Sequence, residues 1–312
     1  MYRTNKGDTA KDLTKLKDLG IPLNKWVNVS DEVYHNEAPG ISASGLKSIK
    51  GDCLAIYRYK KDNASTEKSE ALVVGSATHK YILEGPSFND EYRFSSESDK
   101  RKPAWKSDFK KATEDNVILL RNSDKELLEG MMESLCEPIA EGINTFDAFI
   151  GNELAEIEKA MFVHDKERDI IIKVKADINL EGKVLDLKST KCAKPKAFMK
   201  DAANLSYPLQ ASFYLNAMKM ADLPAIAFGF IAIEKVPPYL HQTILMPNHI
   251  IEMENVRMNR LLDSYAKAFH SGEWYGYIGP DANTGKQPIF IIGEMPGWYV
   301  FELEEENDFE GK

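Results

Sequence analysis

Two alternating runs meet at a two-residue turn in the middle of this chain, and that junction constrains the fold more than any other feature. Asp169–Leu180 and Lys183–Thr190 each alternate apolar and polar residues over a strand's length, and Glu181-Gly182 separates them. A loop this short leaves no slack, so it fixes the register of an antiparallel pair. Leu180 then faces Lys183, Asp177 faces Asp186, and Lys175 faces Lys188. Because side chains alternate between faces, Asp177, Asp186 and Lys188 share one face. Ile178, Leu185 and Leu187 collect on the other, as core. Carboxylates held directly across a strand pair repel each other, and a hard divalent cation with oxygen ligands is the natural compensation. A lysine two residues beyond Asp186 is placed to orient or help deprotonate an attacking water, or to neutralise charge on a phosphate.

The strand before this hairpin, Leu154–Val163, also alternates. A loop over His164–Asp169 would set Val163 opposite Ile170 and bring Glu156 opposite Asp177, a third carboxylate on the same face. A six-residue loop fixes pairing far less firmly than a two-residue one. The competing reading is a solvated charged face, since an Asp-x-Lys tripeptide is common on its own.

The rest of the chain supplies elements around this hairpin. Residues 1–33 are polar and read as a loosely packed N-terminal arm. Ser42 and Ser44 are helix caps ahead of Leu46, Ile49 and Leu54. Residues 62–68 read as a polar connector, and a helix over Ser69–Leu83 is closed by Gly85. Residues 86–104 read as a charged, serine-rich mobile loop, and 105–143 as helical, with Leu127, Met131 and Leu135 at helical spacing. Tyr207–Met220 reads as a helix with Ser206 as cap and Pro208 in its first turn. Ala225–Glu234 is an almost unbroken apolar run, which suits a strand buried on both faces. A strand near Tyr239–Met246 and a long amphipathic helix over His249–His270 follow.

With 43% hydrophobic and 10% aromatic residues, a chain of 312 can bury its own core. Three scattered cysteines, Cys53, Cys136 and Cys192, do not make a disulfide framework or a four-cysteine metal site. No stretch is apolar enough for a membrane span and no secretory pattern opens the chain, so a soluble, cytoplasmic protein is expected. The net charge of -9 argues at first against a nucleic-acid partner. It is unevenly spread, however: the tail Glu302–Lys312 holds six acids and one lysine, whereas Arg58–Lys61, Lys100–Lys102 and Lys188–Lys200 are basic clusters.

Two helices add polar groups beside the hairpin. Gln210 and Tyr214 stand at i and i+4, as do Gly75 and His79, so each pair shares a helix face. A glycine inside a helix costs about 1 kcal/mol relative to alanine. Close packing, or the approach of another backbone or of DNA beside His79, would repay it. On their own, Gln210, Tyr214 and His79 are as readily ordinary boundary residues.

Taken in order, Gly75-x-x-x-His79, Glu156, Asp177, Asp186-x-Lys188 and Gln210-x-x-x-Tyr214 resemble the motifs of the PD-(D/E)xK nuclease superfamily in its RecB-like branch. Ile41-Ser-Ala-Ser-Gly-Leu46 and Ala71–Gly85 look like parts of its RecE-type exonucleases (exodeoxyribonuclease VIII of phages and prophages). The resemblance implies an α/β, restriction-endonuclease-like core with a mixed central sheet flanked by helices, plus N-terminal and inserted helical segments. It spans a nuclease domain over 34–275 with a helical insert at about 86–145, followed by an extension over 276–312 with an acidic tail. It implies Asp177 and Asp186 as main metal ligands, completed by His79 and by Glu156. Lys188 would act on the nucleophilic water, and Gln210, Tyr214 and Gly75 would contact DNA. Asp186 departs from the Glu often found at that motif position, and three dispersed cysteines exclude the iron–sulfur cluster of some relatives.

The implied activity is Mg2+-dependent 5′ to 3′ digestion of one strand of linear duplex DNA, with Mn2+ able to substitute and two ions assisting phosphodiester hydrolysis. The 3′ overhangs would pass to a RecT-like single-strand annealing protein, and a ring-shaped homo-oligomer would surround the DNA. Three alternatives stay open at the level of sequence: a structure- or site-specific endonuclease on the same core, a non-catalytic DNA-end binder or recombination scaffold, and a metal-free protein with a charged sheet face.

Overall fold

The computed structural model describes residues 1–63, 69–279 and 292–309. Most of the polar connector read at 62–68 and the last residues of the acidic tail lie outside this set. The centre is a five-stranded mixed sheet of β1 (Ala155–Asp165), β2 (Ile170–Leu180), β3 (Lys183–Thr190), β4 (Ala227–Glu234) and β5 (His241–Leu245), in the order β5-β4-β3-β2-β1. Only β3 and β4 run parallel. The β2–β3 turn is the two-residue loop expected, with Leu180 paired to Lys183. Both loop residues have positive φ, 51° at Glu181 and 88° at Gly182, as a hairpin turn matched to strand twist requires. A Cβ on Gly182 would also come within 2.7 Å of the Pro224 carbonyl oxygen.

The helices are α1 (Thr9–Asp18), α2 (Ala43–Gly51), α3 (Leu54–Asp62), α4 (Glu70–Glu84), α5 (Pro103–Glu114), α6 (Asn122–Cys136), α7 (Pro195–Asn204), α8 (Tyr207–Met220), α9 (Asn248–Ser271) and α10 (Gly297–Phe309). A parallel strand pair needs a long crossover, and α7 and α8 form it between β3 and β4. The largest core joins Leu46 of α2, Leu209 and Phe213 of α8, and Met258 and Leu262 of α9 to Met161, Val174, Phe228 and Phe230 of the sheet. A second core sets Ile82 and Leu83 of α4 and Met131 and Leu135 of α6 against Ile178, Leu185, Leu187, Ile231 and Ile233. β4, bordered by strands on both sides and contributing to both cores, is the doubly buried strand its apolar run predicts.

Four expectations change. The N-terminal arm is not loosely packed: Leu16 of α1, Ile21 and Tyr34 are buried against Ala160, Phe162 and Ile171. Val27 and Ile41 form β-bridges to Ala160 and Ile172. The segment at 86–104 holds buried Phe88 and Tyr92 and a short strand, Tyr92–Phe94, paired in parallel with Ile118–Leu120. Strand Ile118–Leu120 and a hairpin pairing Pro138 with Asn144 interrupt the helical reading of 105–143.

The fourth change is the register of β1, which places Asp165, not Val163, opposite Ile170. The Asp165 carboxylate accepts hydrogen bonds from the backbone N–H groups of Glu167 and Arg168. That closes a four-residue loop in place of a six-residue one. A shift of two residues preserves the face but changes the partner. Glu156 therefore pairs with Asn179, and the residue at the level of Asp177 is Glu158.

Candidate metal centre

Around Asp177 the sheet comes apart locally. The β2–β3 ladder stops at the Ile178–Leu185 pair, while β3 continues alongside β4 as far as Thr190. The predicted facing of Asp177 with Asp186, and of Lys175 with Lys188, is therefore a register position without a ladder. Asp177 Oδ2 instead accepts a 2.7 Å hydrogen bond from the Leu187 backbone N–H, so the carboxylate occupies the gap between the diverging strands. On the other side, the pairs Ile157–Ile178 and Lys159–Ala176 bracket Glu158 and Asp177, which face each other unpaired. Glu158 has a φ of 52°, a left-handed conformation uncommon for a non-glycine residue and associated with functional sites. Packing inverts at the same level: Ala176 joins the first core and Ile178 the second.

α4 delivers His79 to this break. Its Nδ1 lies 3.4 Å from Asp177 Oδ2, and one ligand atom each from His79, Glu158 and Asp177 lie within 4.8 Å of one another. Asp186 sits beside this trio. Its Oδ1 accepts a 2.7 Å hydrogen bond from Gln210 Nε2, and its Oδ2 is in ionic contact with Lys188 Nζ. No donor is aligned to give that buried Oδ2 a hydrogen bond. Gln210 is spent at both ends, because its Oε1 accepts a 2.6 Å bond from Lys47 Nζ. Lys47 and Lys188 also flank the Tyr207 ring, 4.7 and 5.6 Å from its centre.

The electrostatics follow from burying like charges together. Burial, and then the neighbouring Asp186 carboxylate, push Asp177 up to about 7. Burial and Asp177 push Glu158 up to about 7, against the pull of Lys175. Burial alone would lower Lys188, but Asp186 and Asp177 outweigh it and hold its ammonium above the ordinary lysine range. Burial draws Lys47 down to about 8. It also lowers His79, with Lys188 adding to the effect, which favours the neutral imidazole that a metal requires.

The site opens into a cleft of about 920 Å³, lined by Ser42, Lys47, Gly75, His79, Lys188 and Lys235 among others. A Cβ at Gly75 would meet no atom within 4 Å. Close packing within the chain is therefore not what the glycine serves, and it leaves that wall of the cleft low. Tyr214 donates a 2.6 Å hydrogen bond to the Lys175 carbonyl from a largely buried position. Glu156 accepts a 2.7 Å bond from Asn179 Nδ2 and stands outside the trio. Of the residues read from sequence, the structure brings together His79, Asp177, Asp186, Lys188 and Gln210. It adds Glu158, which the Asp165 turn signal would have found.

The residues suit a hard divalent cation. An imidazole and two carboxylates converge, and the two carboxyls are unfavourable as neighbouring anions. A sequence profile of a PDDEXK-like domain of unknown function (DUF3799) matches residues 42–280. The chain belongs to this family. A five-stranded mixed sheet flanked by helices agrees with that PDDEXK-like assignment. The fold is also similar to a solved structure from Eubacterium rectale described as a "putative exonuclease", with a TM-score of 0.54 at 15% identity, covering 88% of this chain and 98% of the other. No curated protein matches the sequence. Among the described residues no helix is long and apolar enough to cross a membrane.

Proposed function

We propose that this PDDEXK-like protein is a Mg2+-dependent exonuclease that digests one strand of linear duplex DNA from its 5′ end and leaves 3′ overhangs for single-strand annealing. The observation that carries the hydrolytic part is the convergence of His79, Glu158 and Asp177 beside the Asp186–Lys188 pair in an open cleft. The exonuclease part leans on the resemblance to RecE-type enzymes and on what the similar solved structure is described as. The cation, Mg2+ or Mn2+, would be held by His79, Asp177 and Glu158 with Asp186 adjacent, and when bound it supplies charge for the developing phosphorane and an acidified water. The chain's own groups do the rest. Lys188, held charged by Asp186, is placed to orient the attacking water and to meet a phosphate oxygen. Gln210 holds Asp186 and Lys47 at fixed separation, and Tyr214 anchors the backbone two residues before Asp177. The open wall at Gly75 leaves room for a DNA backbone, and no base readout is needed. A RecT-like annealing partner, a ring-shaped oligomer and a cytoplasmic setting complete this reading.

Linear and covalently closed circular duplex DNA, incubated with Mg2+ or with EDTA, test it. Wild type should consume linear DNA alone and only with Mg2+, while Lys188→Ala should leave both intact. Digestion of both DNAs would replace the exonuclease reading with an endonuclease. Binding without cleavage would replace it with a scaffold.

A further inference from the structure

We propose that Lys175 is a positioning residue whose ammonium is shared between Glu158 and Asp31, so that the N-terminal segment takes part in setting up the metal centre. This rests on the metal-centre reading above. Lys175 Nζ lies 2.8 Å from Glu158 Oε2 and is also in contact with Asp31 Oδ1. Its side chain is largely buried, as is that of Glu158, whereas the Asp31 side chain is 73% exposed at the cleft edge. The Lys175 backbone is pinned by the Tyr214 hydroxyl, so only the side chain has freedom to move.

Glu158 has two claimants. Its carboxylate is a member of the trio with His79 and Asp177, and it is also the partner of Lys175. A divalent cation at the trio and an ammonium on the same carboxylate repel each other. An ammonium held on Glu158 weakens that carboxylate's hold on a cation, and a lysine withdrawn without a partner would be a buried, unpaired charge, which is costly. Asp31 already holds the same ammonium, so it can keep Lys175 paired as Glu158 turns to a cation. The segment carrying Asp31 is itself fixed, since neighbouring Tyr34 is buried in the third core. An arm that reads from sequence as loosely packed thus supplies the counter-charge that frees a ligand.

Mn2+ binding by the intact protein, followed by titration calorimetry, tests this without reference to cleavage. Asp31→Asn should weaken Mn2+ affinity about fivefold, a coupling of the size seen between groups in one charge network. Asp31→Glu should restore it. Lys175→Met removes the competing ammonium, so in that background Asp31→Asn should change affinity less than twofold. Melting curves of Asp31→Asn should stay close to wild type, because the substituted side chain is exposed and Glu158 still pairs Lys175. Equal weakening by Asp31→Asn in both backgrounds would mean that Asp31 acts on the cation directly, and would overturn the role of Lys175. No weakening in either background would also overturn it. Failure of the wild type to bind Mn2+ would instead bring down the metal centre itself, and this inference with it.

Discussion

At the scale of single residues, the two glutamates of β1 separate a charged strand face from a ligand set. Glu156 and Glu158 are equally acidic and two apart, so a face-sharing argument cannot choose between them. The structure chooses by register and conformation: Glu156 is bonded to Asn179, while Glu158 adopts φ 52° and turns to His79 and Asp177. Glu158→Gln is therefore expected to lower both Mn2+ affinity and DNA cleavage by about 100-fold or more, the scale on which ligand-sphere changes act. Glu156→Gln should stay within about threefold of wild type, since an amide at that position still bonds Asn179 and misses no cation. Parallel binding isotherms and cleavage rates on the two variants decide it. A larger loss in Glu156→Gln than in Glu158→Gln would restore the register first read from the sequence.

At the scale of elements, legibility tracks how tightly each loop constrains its neighbours. The Glu181-Gly182 turn has no freedom, and the register it implies is the one observed where the ladder exists. The helix of Gly75 and His79 spans Glu70–Glu84 with Ser69 capping Leu72, as its capping residues indicate. The helix of Gln210 and Tyr214 has the bounds its pattern predicts. Ser206, however, is left-handed and makes no side-chain cap bond there. The divergence of β2 from β3 was not legible, because it comes from inserting a carboxylate against the Leu187 N–H. The packing of the arm was legible and went unread: Leu13, Leu16, Leu19 and Leu23 recur at spacings of three and four among many charged residues, and these are the residues that pack. Gly75 gives an element-scale prediction with two opposed signs. Gly75→Ala should stabilise the helix by up to about 1 kcal/mol, since nothing within 4 Å resists a Cβ there. It should also weaken DNA binding if the low wall receives a backbone. Urea midpoints and DNA titrations read the two separately, and unchanged DNA affinity would leave Gly75 without a role in the cleft.

At the scale of the whole molecule, the chain's -9 charge coexists with a cleft that presents Lys47, Lys80, Lys175, Lys188 and Lys235. The acidic trio beneath them makes stability and metal loading two readings of the same protons. Asp177 and Glu158 are pushed to about 7 from ordinary values of 3.8 and 4.5. In that window the folded chain binds more protons than the unfolded one, so their contribution to stability is present below about 4 and lost as pH rises through 7. His79 and His241, lowered by burial, pull the opposite way between their folded values and 6.5. Total stability therefore mixes both trends, and a single substitution separates them. Asp177→Asn keeps the shape and removes only the ionisation. At pH 5 the metal-free variant should already hold a small advantage over wild type, because Asp177 is ionised in the unfolded chain there but still protonated in the folded one. By pH 8 that advantage should have widened by on the order of 1–3 kcal/mol, as the rest of the interval up to the folded value of about 7 is crossed. Adding Mn2+ at pH 8 should reverse the order, since wild type gains a ligand-bound state that the variant lacks. A variant equally stabilised by Mn2+ would place the cation away from Asp177. A gap that fails to widen between pH 5 and pH 8 would mean that Asp177 ionises freely in the folded chain, and the charge strain inferred from its burial would not exist.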